Sequence, residues 1–391
     1  MRIWPRRRRT TPRRRLRERR WAQVTAVLLV LFLAWFAWSF GNALFQPGGG
    51  TMSERVAEWA RGHYLGPLVT LAESLSYKAP KVGGKPSFSL AGPSQVPAAT
   101  PSSGPARHQV RPGFEVPRRL ASPAGRPLRG EGQWRVLYEV GGVPAVYATY
   151  LRPDRIHTSY VSAVVSMNPH LLRFELRPGV EDPGPGSYGG VQAVIGPGHR
   201  RGLAATFNGG FKIASAGGGF WLNGTQRGPL VKGAASMVYY RDGDLRIGVW
   251  GRDGLRLGRD VEGVRQNLKP IIENGRIPAD IDQNTESNWG ATIGGAYYVW
   301  RSGVGVTSDG RVIFAYGPAL DAQTLAGLLR RADCVMAMEL DINPDWTDFM
   351  YYKPGHHPDD PLPVALLPDE VQPPSRYYYL TNRDFTAVFA R

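Results

Sequence analysis

Residues 334–341 have the sequence Cys-Val-Met-Ala-Met-Glu-Leu-Asp, which predicts a β-strand that ends on acidic side chains. Side chains alternate between the two faces of a strand, so Glu339 and Asp341 share one face, about 7 Å apart along it. Two such carboxyls can divide acid, base and nucleophile roles, and their spacing is compatible with glycoside hydrolysis. The alternative is structural, with one acid capping a turn and the other paired with an arginine.

Outward from this strand, residues 131–391 have the texture of one folded domain, with short β-branched and aromatic runs between Gly, Pro, Asp and Asn. The predicted strands are 136–138, 145–150, 159–166, 172–176, 203–207, 237–240, 245–249, 304–307, 312–316, 335–340 and 386–389. The predicted helices are 191–195, a segment around 259–268, and 322–332 behind an Asp321 N-cap. Asp242-Gly243 and Asp309-Gly310 predict hairpin turns. The predicted fold class is α+β, a sheet-rich single domain with a few packed helices.

The first 45 residues have the composition of a membrane anchor. Residues 1–20 contain eleven arginines and one acid, and residues 21–45 contain no charged residue. About 20 apolar residues cross a bilayer core of about 30 Å, and basic residues beside a span mark its cytoplasmic side. No small-residue cleavage site follows, as it would in a signal peptide. We therefore predict a single-pass cell-membrane protein with a cytoplasmic N-terminus and an extracytoplasmic domain; a cleaved signal peptide is the alternative.

Two further segments separate this anchor from the domain. Residues 52–78 have apolar residues at helical spacing and predict a juxtamembrane amphipathic helix, whose apolar face lies on the membrane or on a neighbour. Residues 79–130 are dominated by Pro, Gly, Ser, Ala and Arg, a composition that predicts a disordered linker holding the domain away from the bilayer.

The charge of the chain argues against a nucleic-acid partner. The N-terminal tail accounts for +10 of the formal net charge of +16, which leaves +6 for the remaining 371 residues. Nucleic-acid binding needs basic residues spread over a folded face among aromatics, whereas these form one block beside an apolar run. The predicted contact is with membrane lipid.

Two other segments contain candidate binding residues. The strand 203–207 runs into Asn208-Gly209-Gly210-Phe211, where glycines at positive φ would let a ligand approach the backbone; an ordinary turn is the alternative. Arg301 begins the strand Arg-Ser-Gly-Val-Gly, and its guanidinium suits bidentate recognition of phosphate or carboxylate; a surface ion pair is the alternative.

In this order, the segments resemble the phosphodiester glycosidase family, the domain of a lysosomal enzyme that removes N-acetylglucosamine from a mannose-6-phosphate diester and of many bacterial envelope proteins. The matching positions are 208–211, 301–305, 309–311, 324–326 and 340–341, within residues 203–346. The resemblance implies a mixed α/β fold with a pocket at these strand ends. The family's acidic strand usually continues Asp-Gly-Gly-Gly-Ser, whereas Asp341 here precedes Ile-Asn-Pro-Asp-Trp, so that Trp346 would stack on a sugar or hydrolysis has been lost.

The sequence thus predicts a membrane-anchored extracytoplasmic hydrolase of a sugar-phosphate diester or related cell-envelope glycan. Asp341 would be the acid/base or nucleophile, Glu339 its partner, and Asn208 a hydrogen bond to the sugar or the developing charge. The predicted substrate-binding residues are Arg301, Gly209, Gly210, Phe211 and Trp346. The alternative is a non-catalytic glycan-binding or envelope-scaffold protein. No cofactor and no metal site is predicted, because His356-His357-Asp359-Asp360 lacks metal-ligand spacing, although a metal requirement stays open.

Overall fold

The structure is a computed structural model that describes residues 12–45, 51–91, 115–283, 286–290 and 297–391. The chain divides into two compact units, one made of residues 1–46 and 52–69 and the other of residues 47–51 and 70–391. Five α-helices are described: α1 (Pro12–Phe45), α2 (Met52–Gly62), α3 (Gly66–Ser76), α4 (Glu286–Trp289) and α5 (Ala322–Arg331).

Helix α1 contains the predicted membrane anchor. Its segment Arg20–Phe45 is 26 residues long with a mean hydropathy of 2.1, and it is long and apolar enough to cross a membrane. Helix α2 packs on the C-terminal part of α1, where Trp59 Nε1 donates to Ser39 Oγ at 3.0 Å. The Trp59 ring lies 5.2 Å from the Phe36 ring and 5.0 Å from the Phe40 ring. The helix predicted for residues 52–78 is therefore two helices, and the apolar face of the first lies on α1.

Among its described residues, the larger unit contains three antiparallel sheets. The first, in spatial order, has seven strands: β1 (Arg135–Val140), β2 (Val143–Leu151), β3 (Ser162–Met167), β13 (Val312–Leu320), β12 (Val299–Thr307), β14 (Cys334–Glu339) and β11 (Pro270–Ile272). The second has five: β7 (Thr225–Arg227), β6 (Phe220–Leu222), β10 (Val261–Gln266), β8 (Ala235–Tyr240) and β9 (Leu245–Val249). The third has five: β16 (Leu362–Ala365), β15 (Phe349–Lys353), β5 (Leu203–Asn208), β17 (Phe385–Ala390) and β4 (Leu172–Arg177).

One large apolar core joins the three sheets. Phe314 of the first sheet, Phe220 of the second and Phe207 of the third are fully buried in it. The Phe207 and Phe314 rings lie 4.9 Å apart, so β5 packs directly against β13. Helix α5 covers the first sheet with buried leucines at helical spacing, and Asp321 caps its first turn by accepting a hydrogen bond from the Thr324 amide at 2.6 Å. The predicted α+β, sheet-rich fold class is confirmed.

The predicted elements differ from the structure in three ways. Residues 261–266, predicted to be helical, form strand β10, which pairs with β6 on one side and β8 on the other. Residues 191–195 form no helix. Five strands besides β10 were not predicted: β6, β7, β11, β15 and β16. The predicted hairpins do form, because β8 pairs with β9 and β12 with β13.

Both ends of the predicted disordered linker pack on the domain. Leu90 and Leu120 are buried, with 3% and 6% of their surface exposed, and Phe88 lies against the Tyr150 ring at 5.6 Å. Glu131 is fully buried and accepts hydrogen bonds from the Ser122 hydroxyl, the Leu128 amide and Arg152. Residues 79–91 and 115–130 of the predicted linker therefore lie against the domain, because a few apolar residues and one carboxylate fix these flanks. Residues 92–114 lie outside the described part of the chain.

Candidate active site

The predicted polar side chains come together where the first and third sheets meet. Asn208 ends β5, and its Nδ2 donates to the Ser302 hydroxyl in β12 at 2.9 Å. Ser302 Oγ in turn donates to the carbonyl oxygen of Asp341 at 3.0 Å. In the neighbouring strands β12 and β14, Arg301 Nη1 lies 2.5 Å from Glu339 Oε1. Residues far apart in sequence thus meet at the ends of β5, β12 and β14, in one hydrogen-bonded chain from Asn208 through Ser302 to the Asp341 carbonyl and one separate ion pair, Arg301–Glu339.

The Arg301–Glu339 pair lies deep inside the protein. Arg301 Nε donates to the Leu320 carbonyl at 3.1 Å, and Nη1 also donates to the Trp289 carbonyl at 3.2 Å. Arg301 Nη2 and Glu339 Oε2 have no hydrogen-bond partner among the described residues, so the pair retains one donor nitrogen and one acceptor oxygen. Burial raises the pKa of Glu339 to about 7, although the Arg301 charge opposes the shift.

Asp341 has a different environment from Glu339. Its Oδ1 accepts hydrogen bonds from the amides of Ile342 at 2.8 Å and Asn343 at 3.0 Å, and its Oδ2 lies 3.2 Å from Arg383 Nη2. Burial raises the pKa of Asp341, while the Arg383 charge and the two amides favour the ionised form. The carboxylate of Asp341 is therefore better solvated by protein groups than that of Glu339, which has one cation and an unused oxygen.

The Asn-Gly-Gly-Phe turn, residues 208–211, has little room for side chains at its two glycines. Neither Gly209 nor Gly210 has positive φ, in contrast to the prediction. A Cβ on Gly209 would lie 2.2 Å from Asp384 Oδ2, and one on Gly210 would lie 3.1 Å from Asn267 Cγ. Glycine is needed here because the turn runs directly against buried polar side chains. Phe211 donates its amide to Asn267 Oδ1 at 3.1 Å.

Two predicted site residues, Trp346 and Asn208, are engaged by the protein itself. Trp346 exposes 4% of its surface, and its ring lies 5.0 Å from the Arg376 guanidinium and 5.2 Å from that of Arg383. It is therefore a cation-stacked core residue and not an open platform for a sugar. The Asn208 amide is likewise engaged at both ends, because its Oδ1 accepts from the Asp348 amide at 3.3 Å while Nδ2 donates to Ser302.

Two further buried ion pairs border the cluster and were not predicted. Arg265 Nε lies 2.8 Å from Asp384 Oδ2 with both side chains fully buried, and Arg376 Nη1 lies 2.7 Å from Asp348 Oδ2. Charged pairs are costly to bury, and such clusters concentrate at functional sites. Two sequence features could have indicated these pairs. One is the polar run Arg265-Gln266-Asn267 at a strand end, and the other is the acidic Asp384 directly before an apolar strand.

Apolar groups close the cluster off from solvent. Asn208, Arg301, Glu339 and Asp341 expose 3%, 0%, 1% and 4% of their surfaces. Phe211 and Ile342 belong to a small apolar cluster, and a Cβ on Gly290 would lie 2.4 Å from the Phe211 ring and 3.2 Å from Ile342 Cδ1. Gly290 has φ +84°, so this close approach depends on glycine. Across the described ranges, no group of three or more His, Cys, Asp or Glu side chains is arranged to hold a metal ion.

No protein-family model matches this chain, and no curated protein matches it. Among solved structures, it is similar to the catalytic domain of zebrafish N-acetylglucosamine-1-phosphodiester alpha-N-acetylglucosaminidase, auto-inhibited by its pro-peptide, with 13% identity and a TM-score of 0.39 over 66% of this chain and 88% of that one. A hypothetical protein from Synechocystis matches with 12% identity and a TM-score of 0.37 over 66% and 64% of the two chains. An exported protein from Burkholderia pseudomallei matches with 9% identity and a TM-score of 0.28 over 59% and 74%. These likenesses are remote and concern the fold only.

Proposed function

We propose that the domain is a hydrolase of a sugar-phosphate diester or related cell-envelope glycan, anchored by α1 with the domain on the extracytoplasmic side. The observation that supports this most is the pair of buried carboxyls at the end of β14, Glu339 and Asp341, which have unequal partners. Titratable groups whose surroundings differ in this way are typical of acid and base assignments.

In the proposed reaction, Glu339 is the proton donor. Its raised pKa, about 7, keeps a substantial protonated fraction near neutral pH, so it can protonate the oxygen that leaves the anomeric carbon. Asp341, held by Arg383 and two backbone amides, acts as the carboxylate that takes a proton from the attacking water or attacks the carbon itself. Arg301 Nη2, which has no partner among the described residues, supplies a donor for a phosphate oxygen.

Substrate entry requires that the apolar cover moves. Phe211 and Ile342 both approach Gly290, and the neighbouring Trp289 carbonyl accepts a hydrogen bond from Arg301, so separation of these residues is the proposed route of a sugar to Glu339. Asn208 acts in this proposal as a positioning residue, because its amide links Ser302 of β12 to the Asp348 backbone.

The test uses the full chain in nanodiscs, incubated with aryl glycosyl phosphates and with cell-wall polymers. We expect release of sugar by the wild type, and a loss of about 10²- to 10⁴-fold in kcat for Asp341→Asn and for Glu339→Gln. The matched control is Glu131→Gln, because Glu131 is also a buried carboxyl paired with an arginine but lies in the packed flank of the domain. No turnover by the wild type, or equal turnover by Asp341→Asn, would remove this assignment.

A non-catalytic glycan-binding or scaffold protein is the second candidate. The observation that favours it is the complete engagement of Asp341 and the near-complete engagement of Arg301, in a cluster closed by Phe211 and Ile342. Binding of wall glycan that survives the double change Glu339→Gln and Asp341→Asn, without any product, would support this reading over hydrolysis.

A further inference from the structure

A cavity of about 210 Å³ lies at the end of the first sheet that is remote from the candidate active site. Arg301 lies near the start of β12, whereas the cavity is lined by Thr307, the last residue of that strand, and by Asp309 and Arg311 of the turn into β13. Six residues of a strand span about 20 Å, so the cavity is a separate place in the molecule. The charged groups at its walls have no part in the proposed hydrolysis.

One wall of the cavity is held in place by hydrogen bonds. Residues 117–120 pass over the first sheet, where the Leu120 amide donates to the Gly132 carbonyl at 3.0 Å. Trp134 Nε1 donates to the Arg118 carbonyl at 2.7 Å, and the half-buried Trp134 side chain lines the cavity. The cavity is therefore bounded by fixed groups and is not a gap beside a free loop.

Asp333, on another wall, has a backbone conformation that favours a different residue. It follows Ala332, the C-cap of α5, and has φ +63°. Glycine and asparagine are the usual residues at this left-handed position after a helix. Asp333 is exposed, and its carboxylate has no hydrogen bond or ion pair within the described ranges. A residue choice that opposes local stability is expected where the side chain serves binding.

The charges at the cavity walls are of both signs. Three acids and two arginines line it: Glu115, Asp309, Asp333, Arg118 and Arg311. Arg311 Nε lies 3.0 Å from Asp309 Oδ2, so these two charges pair with each other. A phosphate ligand would require mainly cationic walls, and no acids in the described part of the chain are grouped to hold a metal ion. The lining therefore favours a neutral polar ligand.

A pyranose sugar has the groups that this lining can bind. Its hydroxyls can donate to the Asp333 carboxylate and accept from the Arg118 guanidinium, while its C–H face can pack on the Trp134 ring. Pockets for drug-sized ligands measure about 300–1,000 Å³. At about 210 Å³, this cavity suits one sugar unit.

We propose that this cavity binds one sugar unit of a cell-envelope glycan, at a site separate from Glu339 and Asp341. Such a site holds the polymer on the domain between its encounters with the candidate active site. The choice of an envelope glycan rests on the proposed function, whereas binding in the cavity does not require hydrolysis.

The test measures sugar binding to the full chain in nanodiscs by saturation-transfer difference NMR. The probes are the methyl glycosides of glucose, galactose, mannose and N-acetylglucosamine, which contain no phosphate. We expect transfer to the ring protons of at least one of them. Its affinity should fall about ten-fold or more in Asp333→Gly, which removes the carboxylate, and in Trp134→Leu, which removes the ring.

Asp333→Gly also distinguishes a binding role from a structural one. Glycine adopts positive φ without strain, so this variant should resist urea at least as well as the wild type. Asn274→Gly is the matched control, because Asn274 is exposed, has φ +51° and does not line the cavity. It should leave sugar binding unchanged.

Several outcomes would overturn the proposal. One is the absence of transfer to all four sugars. Another is transfer that Asp333→Gly leaves unchanged, because the sugar then binds elsewhere, and this variant alone decides the matter if Trp134→Leu does not fold. Loss of binding together with loss of stability in Asp333→Gly would assign the residue a structural role. Sugar binding in the cavity without turnover of aryl glycosyl phosphates would support this proposal while removing hydrolysis.

Discussion

Arg301 and Glu339 form an ion pair of 2.5 Å between Nη1 and Oε1, at which the two side chains expose 0% and 1% of their surfaces. The pair bridges neighbouring strands, because Glu339 lies opposite Gly303 in the pairing of β12 with β14. Taking both charges out of water costs several kcal/mol each, and the mutual attraction offsets this only while both partners are present. Each side chain of this ion pair therefore needs the other to stay charged and buried, and single substitutions can measure this mutual dependence.

Removal of one partner should destabilise the domain strongly. In Arg301→Met, the Glu339 carboxyl stays buried without its cation, and we expect a loss of about 3–5 kcal/mol in the free energy of unfolding. Chemical denaturation followed by tryptophan fluorescence measures this loss. Adding Glu339→Leu to Arg301→Met should recover part of it, because no unpaired charge remains.

An exposed ion pair provides the control for this measurement. Arg201 Nε lies 3.0 Å from Asp359 Oδ1, with 72% and 55% of the two side chains exposed. Arg201→Met should leave the free energy of unfolding unchanged within error, since water solvates both charges. If Arg301→Met and Arg201→Met have the same effect, solvent reaches the Arg301–Glu339 pair.

Stability should fall as the pH rises through the neutral range. Burial raises the pKa of Glu370 from its ordinary 4.5 to about 8, although Tyr316 and two backbone amides donate hydrogen bonds to its carboxyl. The folded state then holds this proton more tightly than the unfolded state, so the contribution is complete below about 4.5 and is lost as the pH rises through about 8. Glu339, with its pKa raised to about 7, acts in the same direction.

The measurement is the free energy of unfolding between pH 5 and pH 9. We expect a decrease on the order of a few kcal/mol over this range. Glu370→Gln keeps an acceptor for Tyr316 and the Leu367 amide but cannot titrate, so its profile should be flatter than that of the wild type. A wild-type stability that rises from pH 5 to pH 9 would contradict the prediction.

Local patterns predicted the carboxyl-bearing strand, while the partners of its charges depend on tertiary structure. Glu339 and Asp341 share a face because side chains alternate along any strand. Asp341, however, pairs with Arg383, 42 residues further along the chain, and Arg265 pairs with Asp384 at a separation of 119 residues. No periodic pattern encodes such pairs, since they arise only when separate sheets pack together.

The same dependence on tertiary structure explains why some elements were predicted wrongly. Strand β10 contains Arg265 and Gln266, which are fully buried but resemble exposed polar residues in the sequence, so its alternation was obscured. The flanks of the domain were taken for a linker because Pro and Gly dominate their composition. Their order depends on a small number of buried groups such as Leu90, Leu120 and Glu131.

The turn after β5 should not tolerate a methyl group. Gly209→Ala would place a Cβ 2.2 Å from Asp384 Oδ2, which is held by Arg265, so the turn or this ion pair must shift. We expect a loss of about 1–3 kcal/mol or more, measured by chemical denaturation. Gly198→Ala is the matched control, because a Cβ there meets no atom within 4 Å. Equal stability of the two variants would show that the turn has free space.

Residues 79–91, which precede the undescribed segment, should stabilise the domain as residues of its core do. Leu90 exposes 3% of its surface and packs in the largest apolar cluster, so Leu90→Ala should lower the free energy of unfolding by about 2–5 kcal/mol. Val82, eight positions earlier, exposes 77% of its surface, and Val82→Ala should change it little. If Leu90→Ala is as mild as Val82→Ala, residues 79–91 do not belong to the folded core, and the prediction of a disordered segment would hold for them.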